Sequence, residues 1–168
     1  MDESLKKTKT PEQALASLMR LCARREYCTS DARRLMVRWG VEPSAQSGVV
    51  ERLTRDRFID DRRYAEAFVR EKLKLSAWGA YKITQALRVK RIPAAMIAEV
   101  LDEYTDRNTQ TDRLTTALTR KLRTVKYKDF YDLRAKLMRY GAGLGHDFES
   151  VAECVEKLLK DYDTDQDF

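Results

Sequence analysis

Asp60 and Asp61 stand side by side in the stretch RFIDDRRYAEAFVREK, Arg57 to Lys72, where most other charges are basic. Adjacent carboxylates could act as an acid–base pair, as metal ligands or as a helix start signal. A hard cation needs further oxygen ligands brought to the same side. Neither Glu66 nor Glu71 lies three or four residues from Asp61. Glycosidic acid–base chemistry needs a second carboxylate across a cleft, which this stretch does not display. A structural reading uses more of the residues. With Asp60 at the N-cap, its side chain accepts the free amide of Arg62 or Arg63. Asp61 then occupies the first helical position, facing the positive end of the helix dipole. Ile59 and Tyr64 take the flanking positions of a hydrophobic staple. Both aspartates are therefore expected to be structural.

Other chemistry is sparse. His146, the single histidine, follows the glycine-rich GAGLG at Gly141 to Gly145 and reads as a solvent-facing turn residue. GAGLG lacks the Lys-Ser/Thr and the preceding strand of a phosphate loop, so it reads as the flexible end of the helix before it. Cys22, Cys28 and Cys154 have no zinc spacing. Cys22 falls on an apolar helical face, and a Cys22–Cys28 disulfide is disfavoured in a reducing compartment. No catalytic residue, cofactor or metal is indicated.

The elements that would position these residues are helices. Leu15, Leu18, Met19 and Cys22 follow helical spacing, as do Ala65, Phe68, Val69 and Leu73, and Leu114, Ala117, Leu118 and Leu122. Thr10, Pro11 and Gln13 form a capping-box pattern, and Pro43 and Pro93 introduce further helices. The helical positions repeat at close to 50 residues. Leu18, Phe68 and Leu118 correspond, as do Met36, Leu87 and Leu137, and the helix-ending Gly40, Arg91 and Gly141. Val49, Ile97 and Val151, and Leu53, Leu101 and Val155, continue the correspondence. This periodicity predicts an all-α, elongated array of three tandem three-helix, helix-turn-helix-like repeat units over residues 11–58, 59–105 and 106–162. A flexible N-terminus, 1–10, and an acidic disordered tail, 163–168, would flank it.

The charge is polarised. Of 168 residues, 36% are charged and the formal net charge is +6. Thr10 to Arg91 holds 18 Lys and Arg against 10 Asp and Glu, whereas Asp147 to Phe168 holds 2 against 8. The front could face a polyanion or an acidic protein groove. No apolar run approaches the roughly 20 residues of a membrane span, and MDESLKKTKT lacks a signal-peptide core. A cytoplasmic, monomeric protein is expected.

RFIDDRRYAEAFVREK resembles the most distinctive segment of the RecX regulatory family. WGAYKITQALRVKRI, Trp78 to Ile92, resembles the family's next segment, and TSDARRLMVRWGV, Thr29 to Val41, the matching helix of the first unit. Two departures are Arg57 and Arg91, at turn positions where the family tends to have Gly. A third is Ala86, where the family tends to be acidic. The resemblance implies a non-enzymatic regulator that binds the RecA filament on DNA and inhibits ATP hydrolysis and strand exchange, acting in recombination and DNA repair.

Two other functions fit the residues without the resemblance: a stand-alone helix-turn-helix DNA-binding protein, and a helical protein-interaction scaffold with solvated arginines. Candidate contacts with RecA or DNA are Arg33, Arg34 and Arg38 in the first unit and Lys82, Arg88, Lys90 and Arg91 in the second. Trp39 and Trp78 are expected in packing, and Tyr27 and Tyr81 suit either packing or contact.

Overall fold

The protein is described by a computed structural model over residues 8–164. Helix α1 spans Pro11–Cys22, α2 Thr29–Arg38, α3 Pro43–Arg55, α4 Asp61–Leu75, α5 Ala80–Val89, α6 Ala94–Tyr104, α7 Arg107–Leu122, α8 Phe130–Gly143 and α9 Phe148–Thr164. No strand occurs among the described residues. The fold is an elongated all-α array of three tandem three-helix units. In every unit the third helix packs against both of the others.

The first helix of each unit starts in the same way. Thr10, Asp60 and Asp106 are extended N-caps whose side chains accept from Gln13, Arg63 and Thr109, three residues on. Each satisfies an amide that has no partner inside its helix. The apolar stripes then meet in three separate cores. Leu18, Met36 and Leu53 fill the first, Val69, Ile83 and Leu87 the second, and Leu118, Leu137 and Val155 the third. Burying one such leucine stabilises by about 1.5–3 kcal/mol. In the second unit Val100 is fully buried while Leu101 packs only partly, a one-residue rotation relative to Leu53 and Val155.

Two buried residues cross the unit order. Ile59, expected to staple Tyr64, is buried in the first core, whereas Tyr64 packs on the second. Cys28, from the first unit, is buried in the second core. All three cysteines are free thiols.

Turn positions follow the repeat with one exception. Gly40 (φ 67°), Arg57 (φ 58°) and Arg91 (φ 58°) adopt the left-handed conformation that ends a helix. Gly141 does not end α8. It lies inside the helix, and a Cβ there would stand 2.6 Å from a Val151 methyl. Its absent side chain lets α8 and α9 approach, and the turn falls at Gly145 (φ 90°). Pro43 opens α3, but Pro93 is the N-cap of α6 rather than its first residue.

At the termini, residues 8–10 lie against the first unit. The Lys9 amide donates to the Trp39 carbonyl at 3.0 Å, and the Lys9 ammonium sits 3.8 Å from the Trp39 ring centroid. Helix α9 continues to Thr164. The rest of the stretch expected to be flexible, 1–7, and the end of the expected tail, 165–168, lie outside the described residues.

Candidate functional site: a basic surface across the unit joints

The middle helices of the three units meet end to end. Their N-caps, Cys28, Gly79 and Asp129, recur at 51 and 50 residues. Only Asp129 caps its helix with its own side chain, accepting from the Asp132 amide. The other two N-termini are satisfied by the following unit, which explains how Cys28 and Gly79 can occupy N-cap positions.

At the joint between the second and third units, the Gly79 amide donates to the Leu144 carbonyl at 2.7 Å and the Tyr81 amide to Gly145 at 3.2 Å. The Lys82 ammonium donates to the Gly143 carbonyl at 3.2 Å. The carbonyls that end α8 thus cap the amides that begin α5, with the two helix dipoles head to tail. Glycine is required on both sides. A Cβ on Gly79 would lie 2.3 Å from the Gly145 carbonyl oxygen, and one on Gly145 would lie 2.3 Å from the Lys82 Cβ. His146, expected to face solvent, is half-buried in this joint with Nε2 2.9 Å from the Ala77 carbonyl oxygen. GAGLG is therefore a docking segment rather than a loose helix end.

At the joint between the first and second units, Asp61 accepts the Thr29 amide at 2.7 Å and so caps α2. Asp31 is only 6% exposed. It receives Arg34 at 2.6 Å from its own helix and Lys90 at 2.7 Å from the end of α5. Burial opposes its ionisation, but Lys90 and Arg34 outweigh burial and hold the carboxyl below its usual range. The Cys28 Sγ lies 3.3 Å from the Ser30 hydroxyl and 4.0 Å from the Lys90 carbonyl oxygen. Burial is the largest cause that raises this thiol, which keeps it in the unreactive form. Burial, with Cys28 and Asp31 nearby, pushes Tyr64 up to about 12. Arg63 donates to Glu26 at 2.8 Å across the same joint.

The candidate cations divide into two groups. Lys82 and Lys90 are held in the joints, and Arg34 is tied to Asp31. Arg33 and Arg38 on α2, and Arg88 and Arg91 at the end of α5, are exposed and have no carboxylate partner among the described residues. Asp31 ties α2 to the end of α5 through Lys90, while also holding Arg34 of its own helix. Beside the free arginines stand Val37, 65% exposed, and Val89, 78% exposed, with Tyr81 exposed at the start of α5. The sequence reading missed these valines because a lone Val in a basic helix carries no signal of its orientation. It also missed Asp31 as a buried anchor. An Asp three residues before Arg34 reads as an ordinary surface pair until α5 closes over it.

Asp60 and Asp61 accept the Arg63 and Thr29 amides. Among the described residues, no group of three His, Cys, Asp or Glu side chains could hold an ion. Nor is any helix among them long and apolar enough to cross a membrane. Trp78 packs edge-on to Phe68, with the ring centroids 6.2 Å apart, and Lys82 lies over it at 4.5 Å. Tyr27 is buried.

The fold defines a class: a helical repeat protein whose middle helices join end to end and carry unpaired arginines. Residues 60–101, covering nearly all of α4 to α6, match the model of the second three-helix domain of RecX. The chain is similar to the regulatory protein RecX of Chlorobium phaeobacteroides, 28% identical over 149 residues, 89% of this chain and 95% of that protein. It is also similar to that of Halorhodospira halophila, 33% identical over 51% of this chain and 52% of that protein. Its fold matches a crystal structure of RecX from Lactobacillus salivarius with a TM-score of 0.75 at 16% identity, over 88% of this chain and 96% of the other. A second crystal structure of regulatory protein RecX matches with a TM-score of 0.79 at 19% identity, over 88% and 73%. The chain is thus similar to RecX regulatory proteins in sequence and in fold.

Proposed function

We propose that this chain is a non-enzymatic regulator that binds the RecA filament and lowers its ATPase and strand-exchange activity. The observation that carries this reading is the surface on α2 and α5, where Arg33, Arg38, Arg88 and Arg91 stand unpaired beside exposed Val37 and Val89. Arginine interleaved with apolar side chains suits a protein surface rather than bare phosphate. The likeness to proteins named regulatory protein RecX supports a regulatory role, and the resemblance of RFIDDRRYAEAFVREK to that family's segment suggests RecA as the partner. The long array would lie along the filament, acting in the cytoplasm without catalysis or cofactor.

The test is RecA ATP hydrolysis on single-stranded DNA with increasing amounts of this protein. Hydrolysis should fall, and it should fall much less with the double variant Arg33→Glu/Arg38→Glu. Hydrolysis unchanged by the wild-type protein would overturn the reading. Tight, salt-dependent binding to free duplex with no effect on RecA would favour a stand-alone DNA-binding protein instead.

A further inference from the structure

The first joint contains an ion pair whose counterpart is missing from the second. At the first, Arg63 of α4 donates to Glu26, in the connection between α1 and α2. The corresponding connection between α4 and α5, Ser76 to Trp78, holds no carboxylate. Between this connection and α7 lies a groove of about 250 Å³, lined among others by Lys74, Leu75, Ala77, Asp112, Arg113 and Arg120. A second groove on α7 adjoins it through Thr116 and Arg120 and adds Arg123. Arg113 is half-buried there, while Lys74, Arg120 and Arg123 are exposed. None of these cations has a carboxylate partner among the described residues, and Asp112 has no cation partner among them. The grooves therefore carry a clear excess of unneutralised positive charge.

We propose that this groove binds an acidic segment of a partner protein, whose carboxylates pair with Arg113 and Arg120 while an aliphatic side chain packs on Leu75. The segment supplies at the second joint the charge that Glu26 supplies at the first. The wall is partly apolar, since Leu75 is 76% exposed and Ala77 stands beside it. Apolar surface set among arginines suits a protein partner. A nucleic acid fits less well. No aromatic side chain lines either groove, so bases have nothing to stack on. The Thr116 and Thr119 hydroxyls donate to the Asp112 and Thr115 carbonyls, which takes them away from phosphate. The site uses α4 and α7 rather than α2 and α5, and it does not rest on the RecA reading.

The test is fluorescence anisotropy of a labelled polyglutamate peptide with a leucine at every fourth position, added to the full chain. The peptide should bind at low salt and weaken as salt screens the charges. Arg113→Gln/Arg120→Gln should weaken it about tenfold, and Leu75→Ser about threefold. Arg52→Gln/Arg55→Gln, which removes the same charge from α3 of the first unit, should change it less than about twofold. No binding, or equal losses from the two arginine pairs, would overturn the proposal. Displacement of the peptide by oligothymidylate more readily than by unlabelled peptide would also overturn it and assign the groove to nucleic acid. A second pair of variants supplies the missing carboxylate from the chain itself. Ala77→Glu and Ala77→Gln both keep a Cβ at this left-handed position (φ 52°). Ala77→Glu should weaken the peptide about threefold more than Ala77→Gln, because its carboxylate competes for the same arginines. Equal effects would overturn the pairing with Arg113 and Arg120.

Discussion

Asp60 and Asp61 are neighbours in sequence but serve helices of different units. Asp60 caps α4 through the Arg63 amide, while Asp61 reaches across to the Thr29 amide of α2. Asp60→Ala should cost about 0.5–2 kcal/mol, measured by urea denaturation, and leave the joint intact. Asp61→Ala should cost about 1–3 kcal/mol, because it leaves the Thr29 amide unpaired. It should also speed amide exchange at the start of α2, which Asp60→Ala should not. Asp31 gives a pH signature. Its folded carboxyl titrates below the unfolded one, so the stabilisation is complete above the unfolded value of about 3.9. It is lost as the pH falls through the lower folded value. Urea midpoints should therefore drop at acid pH, and Asp31→Asn should lower the midpoint at neutral pH while flattening that drop. An unaltered acid drop in Asp31→Asn would assign the effect to other carboxylates.

At the scale of elements, the joints are built from helix ends rather than from apolar faces. Gly79→Ala would drive a methyl into the Gly145 carbonyl. It should cost about 1–3 kcal/mol and loosen the third unit while helical circular dichroism stays near wild type. Arg57 illustrates the opposite case. Its left-handed conformation strains any residue with a Cβ by about 1–2 kcal/mol. Glycine relieves that strain but loses more chain entropy, by about 0.5–1 kcal/mol. Arg57→Gly should therefore raise the thermal midpoint slightly, with a gain of up to about 1.5 kcal/mol. A lower midpoint would mean that the arginine side chain contributes more than its turn costs.

For the whole molecule, three separate cores joined by polar contacts predict incomplete cooperativity. Inter-unit contacts of this polarity favour relative motion, and arrays unfold by unit and interface. Native-state amide exchange should give a distinct opening free energy for each core. One value common to all three would show that the joints couple the units fully. In Gly79→Ala, exchange should rise in the third core more than in the first. A hinged array could follow the pitch of a helical filament, which suits the proposed RecA surface on α2 and α5.

How much could be read from the chain follows from the range of each interaction. Helix content, N-caps at Thr10 and Asp60, core stripes and the repeat near 50 residues all depend on neighbours within a few positions, so the sequence by itself determined them. Arg91 is marked as a helix end by its place in that repeat, and Arg57 as a turn position by the family resemblance. The fates of Asp61, Lys82, Lys90, Gly141 and His146 were not legible. Their partners lie at Thr29, Gly143, Asp31, Val151 and Ala77, mostly in another unit. Whether a charge is free or held, and whether a glycine ends a helix or admits a neighbour, depends on which surface closes over it. Only the tertiary structure decided that, because helix ends from successive units meet across distances that no local spacing encodes.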